Sequence, residues 1–100
     1  MGVRQRKLLF DAQRGICASC GIPMLRPSQV VKRWRVHPLG PTTDHVIPTH
    51  RGGANNLTNK VVMHRACNTM KGGRMPNGCE LVWLEVVRAK VPQPHHRPRS

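Results

Sequence analysis

Two short motifs in this chain carry side chains that bind soft metal ions. Cys17 and Cys20 are separated by two residues, so both thiolates can reach one ion from a tight turn. His64 and Cys67 have the same spacing and could complete a tetrahedral set of three thiolates and one imidazole. The alternatives are a redox pair at Cys17 and Cys20 and a plain apolar role for Cys67 and Cys79. Because both halves have the spacing of a zinc knuckle, we predict a structural zinc site with Cys17, Cys20, His64 and Cys67 as its ligands.

A second group of residues offers hard oxygen ligands. Asp44 is one of only 4 acidic residues in the chain, and it stands directly before His45. It could pair with a neighbouring arginine, or it could hold a divalent cation against a phosphate. Together with the amide oxygen of Asn68 it would form a sparse site for Mg²⁺ or Mn²⁺, completed by water and substrate. The imidazole of His45 could take a proton from that water near neutral pH.

The composition indicates a polyanionic partner. The chain has 100 residues, with 17 Lys and Arg against 4 Asp and Glu, and its formal net charge is +13. A small domain this basic repels itself, so we predict nucleic acid as its partner. No apolar run approaches the roughly 20 residues that span a bilayer, and Leu8-Leu9-Phe10 is too short for the core of a signal peptide. We therefore expect neither membrane insertion nor secretion.

The elements that must position these residues alternate between helices and strands. The pattern predicts a short amphipathic helix over residues 3–14 that ends at Gly15, and a half-exposed strand over 29–37. It predicts a second strand over 42–47, a buried strand over 61–63 and one or two helical turns over 65–71 that end at Gly72. A helix over 80–90 should pack on the first helix. We predict an α+β domain over residues 1–90 and a disordered basic tail over 91–100.

At this point the pattern resembles a known family. The matching elements are Cys17-X-X-Cys20-Gly21, Asp44-His45-Val46-Ile47-Pro48, Gly52-Gly53, Asn59, His64-X-X-Cys67-Asn68 and Lys71-Gly72. Their order and spacing are similar to those of the HNH endonucleases, small metal-dependent nucleases with the ββα-metal (His-Me finger) fold. The resemblance runs from about Gly15 to Gly73. It therefore implies a zinc-stapled ββα-metal fold with flanking helices.

The resemblance also implies roles for individual residues. His45 matches the general base that activates the attacking water, and Asp44 matches the metal-binding acid before it. Asn59 matches the asparagine that braces the loop orienting the base. Asn68 stands at the third motif position, which makes the chain an HNN variant with one metal ligand there. His64 replaces the commoner first cysteine of the second knuckle.

The implied reaction is metal-assisted hydrolysis of a phosphodiester in nucleic acid, with double-stranded DNA as the expected substrate. Arg51, Lys71 and Arg74 flank the motif and are predicted to contact the phosphate backbone, with a solvated basic face as the alternative. His50 lies close to the motif and could contact phosphate or act as a ligand, but it is interpreted as a surface histidine. The cofactors implied are structural Zn²⁺ and catalytic Mg²⁺ or Mn²⁺, and the implied location is the cytoplasm of a bacterial or phage-infected cell. We also expect Asp44→Ala to abolish turnover and spare the fold. The alternative function is a zinc-stapled nucleic-acid-binding module without catalysis, which explains the charge and the cysteines but leaves the other motif residues without a role.

Overall fold

The structure is a computed structural model that describes residues 3–26 and 37–91. Apart from His37, the predicted strand over 29–37 lies outside the described residues, as do residues 92–100 of the predicted tail. The helices and strands of the described part are α1 (Val3–Ala12), β1 (Pro41–His45), β2 (Lys60–His64), α2 (Arg65–Lys71) and α3 (Gly78–Lys90). Two 3₁₀ turns, Thr49–Arg51 and Leu57–Asn59, lie between the strands. None of the described helices is both long and apolar enough to cross a bilayer.

The two strands form an antiparallel ribbon that is the centre of the fold. Pro41 pairs with His64 at one end and His45 pairs with Lys60 at the other. All five residues of β2 are buried, as its short apolar run predicts, so the predicted buried strand is confirmed. Helix α2 follows β2 directly and packs against both strands, so the predicted ββα arrangement and the α+β class are confirmed.

One buried side chain, just after the end of helix α1, pairs with the outer edge of β2. Gln13 lies just after the helix, and its amide donates to the carbonyl of Val62 and accepts from the same residue's N–H, both at 2.8 Å. The amide therefore satisfies backbone hydrogen-bonding groups at the edge of β2 that a third strand would otherwise have to pair with. The helix ends at Ala12, earlier than predicted, because Arg14 and Gly15 adopt left-handed backbone conformations with φ of 56° and 71°.

Helix α3 begins two residues before its predicted start because Glu80 belongs to its first turn. The side chain of Asn77 accepts from the N–H of Glu80, and the Glu80 carboxylate accepts from the N–H of Asn77. Burial opposes ionisation of Glu80, but hydrogen bonds from Arg74 and Asn77 outweigh it and lower the pKa of this carboxyl. The apolar face, with Leu84 and Val87 buried, packs against α1, as predicted, and also against β2.

Candidate active site and metal centre

The four residues predicted to bind zinc come together where β2 meets α2. Their ligand atoms all lie within 4.8 Å of one another. The Nδ1 atom of His64 is 3.4 Å from the sulfur of Cys20 and 3.7 Å from that of Cys67. Tetrahedral zinc with ordinary bond lengths places such atoms about 3.6 Å apart. The cluster of Cys17, Cys20, His64 and Cys67 therefore has the dimensions of a structural zinc site, and Cys79 lies outside it.

The surroundings of this cluster also prepare it for a cation. The Nε2 atom of His64 lies 3.1 Å from the carbonyl oxygen of Pro23, which can only accept, so Nε2 carries the proton and Nδ1 is left with its lone pair. Backbone N–H groups of Ser19 and His64 both donate to the sulfur of Cys17 at 3.3 Å. Such bonds stabilise a thiolate. These contacts fit a bound zinc ion and its usual outer hydrogen bonds.

The thiols of the cluster need a cation in order to ionise together. Burial and the neighbouring sulfur atoms of Cys17 and Cys20 raise the pKa of Cys67 to about 12. A bound Zn²⁺ would supply the missing positive charge, so zinc binding would release protons and stabilise the fold. With all four positions filled by protein atoms, such an ion has no open site for catalysis.

A separate cleft of ≈ 250 Å³ brings together the residues predicted for hydrolysis. Its walls are the end of β1, the 3₁₀ turn after Pro48 and the C-terminal part of α2 with the glycines that follow. The lining residues are Thr43, Asp44, His45, Pro48, Thr49, His50, Asn68, Lys71, Gly72 and Gly73. Asp44, His45 and Asn68 thus share one solvent-facing cleft although 23 residues separate His45 from Asn68 along the chain.

The carboxylate of Asp44 forms a buried ion pair with a residue expected at the surface. The Nζ atom of Lys71 lies 3.2 Å from Oδ2 of Asp44, and the two side chains are only 1% and 8% exposed, respectively. The same ammonium donates to the carbonyl of His45 at 3.2 Å. Burial raises the pKa of Asp44, and the ammonium of Lys71 opposes that shift. Lys71 was predicted to contact phosphate, but here it supplies the internal countercharge of the acid and holds the end of β1.

The imidazole of His45 is oriented by a residue that sequence reasoning did not single out. Its Nε2 atom is 2.7 Å from Oδ1 of Asn55. Because that oxygen only accepts, Nε2 is the donor and Nδ1 remains an acceptor that can take a proton from water. The two neighbouring asparagines after Gly52-Gly53 were the only signal for this contact. Nothing in their spacing indicated which of them faces the histidine.

Asn59 binds the loop between the strands from within. Its side-chain amide donates to the carbonyls of Ile47 and Ala54 at 2.8 and 2.9 Å, and its Oδ1 accepts from the N–H of Ile47 at 2.9 Å. The loop approaches so closely that a Cβ on Gly53 would lie 1.7 Å from the carbonyl oxygen of Ile47. Asn59 therefore joins the end of β1 to the segment that carries Asn55.

The remaining predicted residues differ in exposure and in their partners. The amide nitrogen of Asn68 donates to the carbonyl of Thr43 at 3.3 Å, which leaves its amide oxygen as the atom that could bind a cation. Arg51 is exposed beside the cleft. Arg74 forms a two-pronged pair with Glu80, at 3.1 and 3.0 Å, so its guanidinium already has an internal partner. His50 lies at the surface, as interpreted from the sequence, and its exposed imidazole also lines the cleft.

Comparison with known proteins agrees with this geometry. A family model described as HNH endonuclease matches residues 17–74, which include both halves of the zinc cluster and all the residues that line the cleft. This match covers more than half of the chain and confirms the resemblance noted in the sequence. No curated protein matches the chain significantly.

Proposed function

Because this chain belongs to the HNH endonuclease family, we propose that it hydrolyses phosphodiester bonds in double-stranded DNA in a reaction that needs a divalent cation. The observation that carries this proposal is that the carboxylate residue Asp44, the imidazole residue His45 and the amide residue Asn68 line one cleft, apart from the zinc cluster. Zinc alone would explain the cysteines and not this second group.

In this mechanism His45 is the general base. Asn55 holds the Nε2–H of its imidazole, so Nδ1 can take a proton from a water molecule in the cleft as that water attacks phosphorus. Attack in line with the departing 3′-oxygen leaves a 5′-phosphate and a 3′-hydroxyl. Lys71 holds the backbone of His45 through its carbonyl, and Asn59 holds the loop that carries Asn55. The backbone of the base and the side chain that orients its imidazole are therefore both held in place.

Asp44 and Asn68 are the residues that would hold Mg²⁺ or Mn²⁺. The carboxylate and amide oxygens suit a hard cation, and the cleft is open to the water and substrate oxygens that would complete its coordination. When bound, the cation would stabilise the negative charge that develops on the phosphate and on the leaving oxygen. Lys71 keeps a countercharge on one oxygen of Asp44 and so holds the carboxylate in place for this role.

The charge of the chain supports DNA as the substrate. A net charge of +13 favours binding to a phosphate backbone without reading its sequence. Arg51 lies exposed beside the cleft and is the cation we assign to phosphate contact there. Lys71 is buried against Asp44, whereas Arg74 pairs with Glu80 and stays exposed, so its contact with phosphate remains a prediction.

The test is plasmid nicking by protein loaded with one equivalent of zinc. Supercoiled plasmid is incubated with and without added Mg²⁺ or Mn²⁺, and nicked product is quantified. We expect cleavage that needs the added cation and is lost in His45→Ala. The matched control is His37→Ala, which removes a histidine outside the cleft whose Nδ1 accepts from the N–H of Leu39 in a turn. If folded, zinc-loaded wild-type protein binds plasmid without cutting it, the chain is a non-catalytic nucleic-acid-binding module instead.

The contact of Asn55 gives a second prediction for the same reaction. Asn55→Ala removes one hydrogen bond to the base. If this raises the activation free energy by about 1 kcal/mol, the rate falls about fivefold. Asn55→Asp keeps the accepting oxygen and should cleave at close to the wild-type rate. The measurement is the single-turnover rate with enzyme in excess, together with DNA binding, which both variants should retain. Equal rates for Asn55→Ala and the wild type would remove Asn55 from the mechanism.

A further inference from the structure

His50 occupies a defined place in the cleft although it lies outside the family motif. It is the middle residue of the 3₁₀ turn Thr49–Arg51, which three residues separate from the end of β1. Backbone N–H groups of Arg51 and Gly53 both donate to the carbonyl of Pro48, at 2.8 and 3.1 Å, so the turn is closed on itself. The imidazole is exposed at the rim and lines the same cleft as Asp44, His45 and Asn68.

The segment after α2 lies close to this imidazole. A Cβ added to Gly73 would lie 2.9 Å from Cε1 and 3.5 Å from Nε2 of His50. The φ of Gly73 is not in the left-handed region, and the atoms that an added Cβ would meet belong to the exposed imidazole of His50, so a side chain at this position would push that imidazole aside. His50 therefore lies beside the C-terminal end of the helix that carries Asn68.

The two imidazoles of the cleft therefore rest against different walls. His45 is tied through Nε2 to Asn55, on the loop between the strands. His50 rests against Gly73, on the side of α2, where the proposed cation ligand Asn68 also lies. In-line displacement places the attacking and leaving oxygens on opposite sides of phosphorus, so one imidazole cannot serve both.

We propose that His50 is the general acid of the reaction and protonates the leaving 3′-oxygen. This inference rests on the proposed nuclease function. The water oxygen forms a bond to phosphorus while His45 accepts the water proton at Nδ1. The bond from phosphorus to the 3′-oxygen breaks, and its electron pair takes a proton from the imidazolium of His50. The products are a 5′-phosphate and a 3′-hydroxyl, and exchange with solvent returns both imidazoles to their starting states.

A leaving group that needs no proton distinguishes this role from phosphate binding. In a duplex with sulfur in place of the 3′-bridging oxygen at one position, the leaving thiolate is stable without protonation. We expect His50→Gln to cleave the oxygen duplex about 100-fold more slowly than wild type, and to cleave the sulfur duplex within a few fold of wild type. Rates are measured with Mn²⁺, which tolerates sulfur, and cleavage at that position is resolved on a sequencing gel.

A second variant moves the imidazole without removing it. Gly73→Ala places a methyl group against His50 and should cause a smaller loss that is again confined to the oxygen duplex. His37→Gln serves as the matched control, and circular dichroism and zinc content verify the fold. The proposal is overturned if His50→Gln cuts the oxygen duplex normally, or if it loses the same factor on both duplexes. A wild-type protein that cuts neither duplex would instead refute the nuclease function itself.

Discussion

Replacing Asn59 by alanine tests whether the loop that orients the base is held by one side chain. Asn59 is 2% exposed, and its amide makes three hydrogen bonds to the backbone of residues 47 and 54. Alanine would leave the N–H and carbonyl of Ile47 and the carbonyl of Ala54 without these partners.

The expected cost follows from those three bonds. A hydrogen bond in a folded protein contributes about 1 kcal/mol net, and an unsatisfied buried group costs more. Ala54 is exposed, so its carbonyl can turn to water, whereas Ile47 is only partly exposed. We therefore expect Asn59→Ala to lower the free energy of unfolding by about 2–3 kcal/mol. For a domain of this size that corresponds to a decrease in Tm of about 10–20 °C.

The assay is urea unfolding of zinc-loaded protein, followed by circular dichroism at constant zinc. Asn56→Ala is the matched control, because it removes an asparagine of the same loop whose Oδ1 accepts from the N–H of Thr58 as an N-cap. That change should cost about 1 kcal/mol. Asn59→Asp should be at least as harmful as alanine, since a carboxylate would face the two carbonyls that the amide now donates to. A loss for Asn59→Ala no larger than that of the control would refute the bracing role.

Three further changes test the metal centre and the two buried carboxylates. Cys17→Ser should lose stoichiometric zinc in a chelator assay and lower the unfolding free energy by at least ~4 kcal/mol, whereas Cys79→Ser, outside the cluster, should retain its zinc. Asp44→Ala should abolish cleavage and also destabilise the fold by about 3 kcal/mol in urea, because it strands the buried ammonium of Lys71; adding Lys71→Met should recover most of that stability but no activity. Glu80→Gln should cost about 2 kcal/mol at pH 7. Because the folded pKa of Glu80 lies below its ordinary 4.5, this difference from wild type should disappear in urea titrations as the pH falls from 4.5 through that lower value.

The elements that the sequence predicts well are those with a strong local pattern. The buried strand of Val61 to Met63 needed only its apolar run, and α2 ends at Gly72 as expected. The zinc ligands were found because the tight turn of each knuckle sets the spacing within a pair. The apolar periodicity predicts too late a start for α3 because it begins at Glu80, which is the N3 residue of a capping box whose N-cap is Asn77.

Contacts between distant residues were beyond reach of the sequence. Lys71 and Asp44 are 27 residues apart, and in so basic a chain nothing distinguishes a buried lysine from a solvated one. The expectation that Asp44 could be removed without cost to the fold is therefore revised. Gln13 pairs with Val62 across 49 residues, and a lone glutamine carries no local sign of that role. Both depend on packing, which local periodicity does not report.

Helix α2 connects the zinc cluster to the cleft. It has seven residues, too few to be stable alone, so its position depends on what holds its two ends. At the N-terminal end His64 and Cys67 belong to the metal cluster, and at the C-terminal end Lys71 is buried against Asp44. Asn68 lies between these two attachments and follows Cys67 directly in the chain. The cluster of Cys17, Cys20, His64 and Cys67 therefore helps to determine where Asn68, the proposed ligand of a hard cation, lies. In the proposed nuclease, one small helix would thus connect two chemically different cation sites.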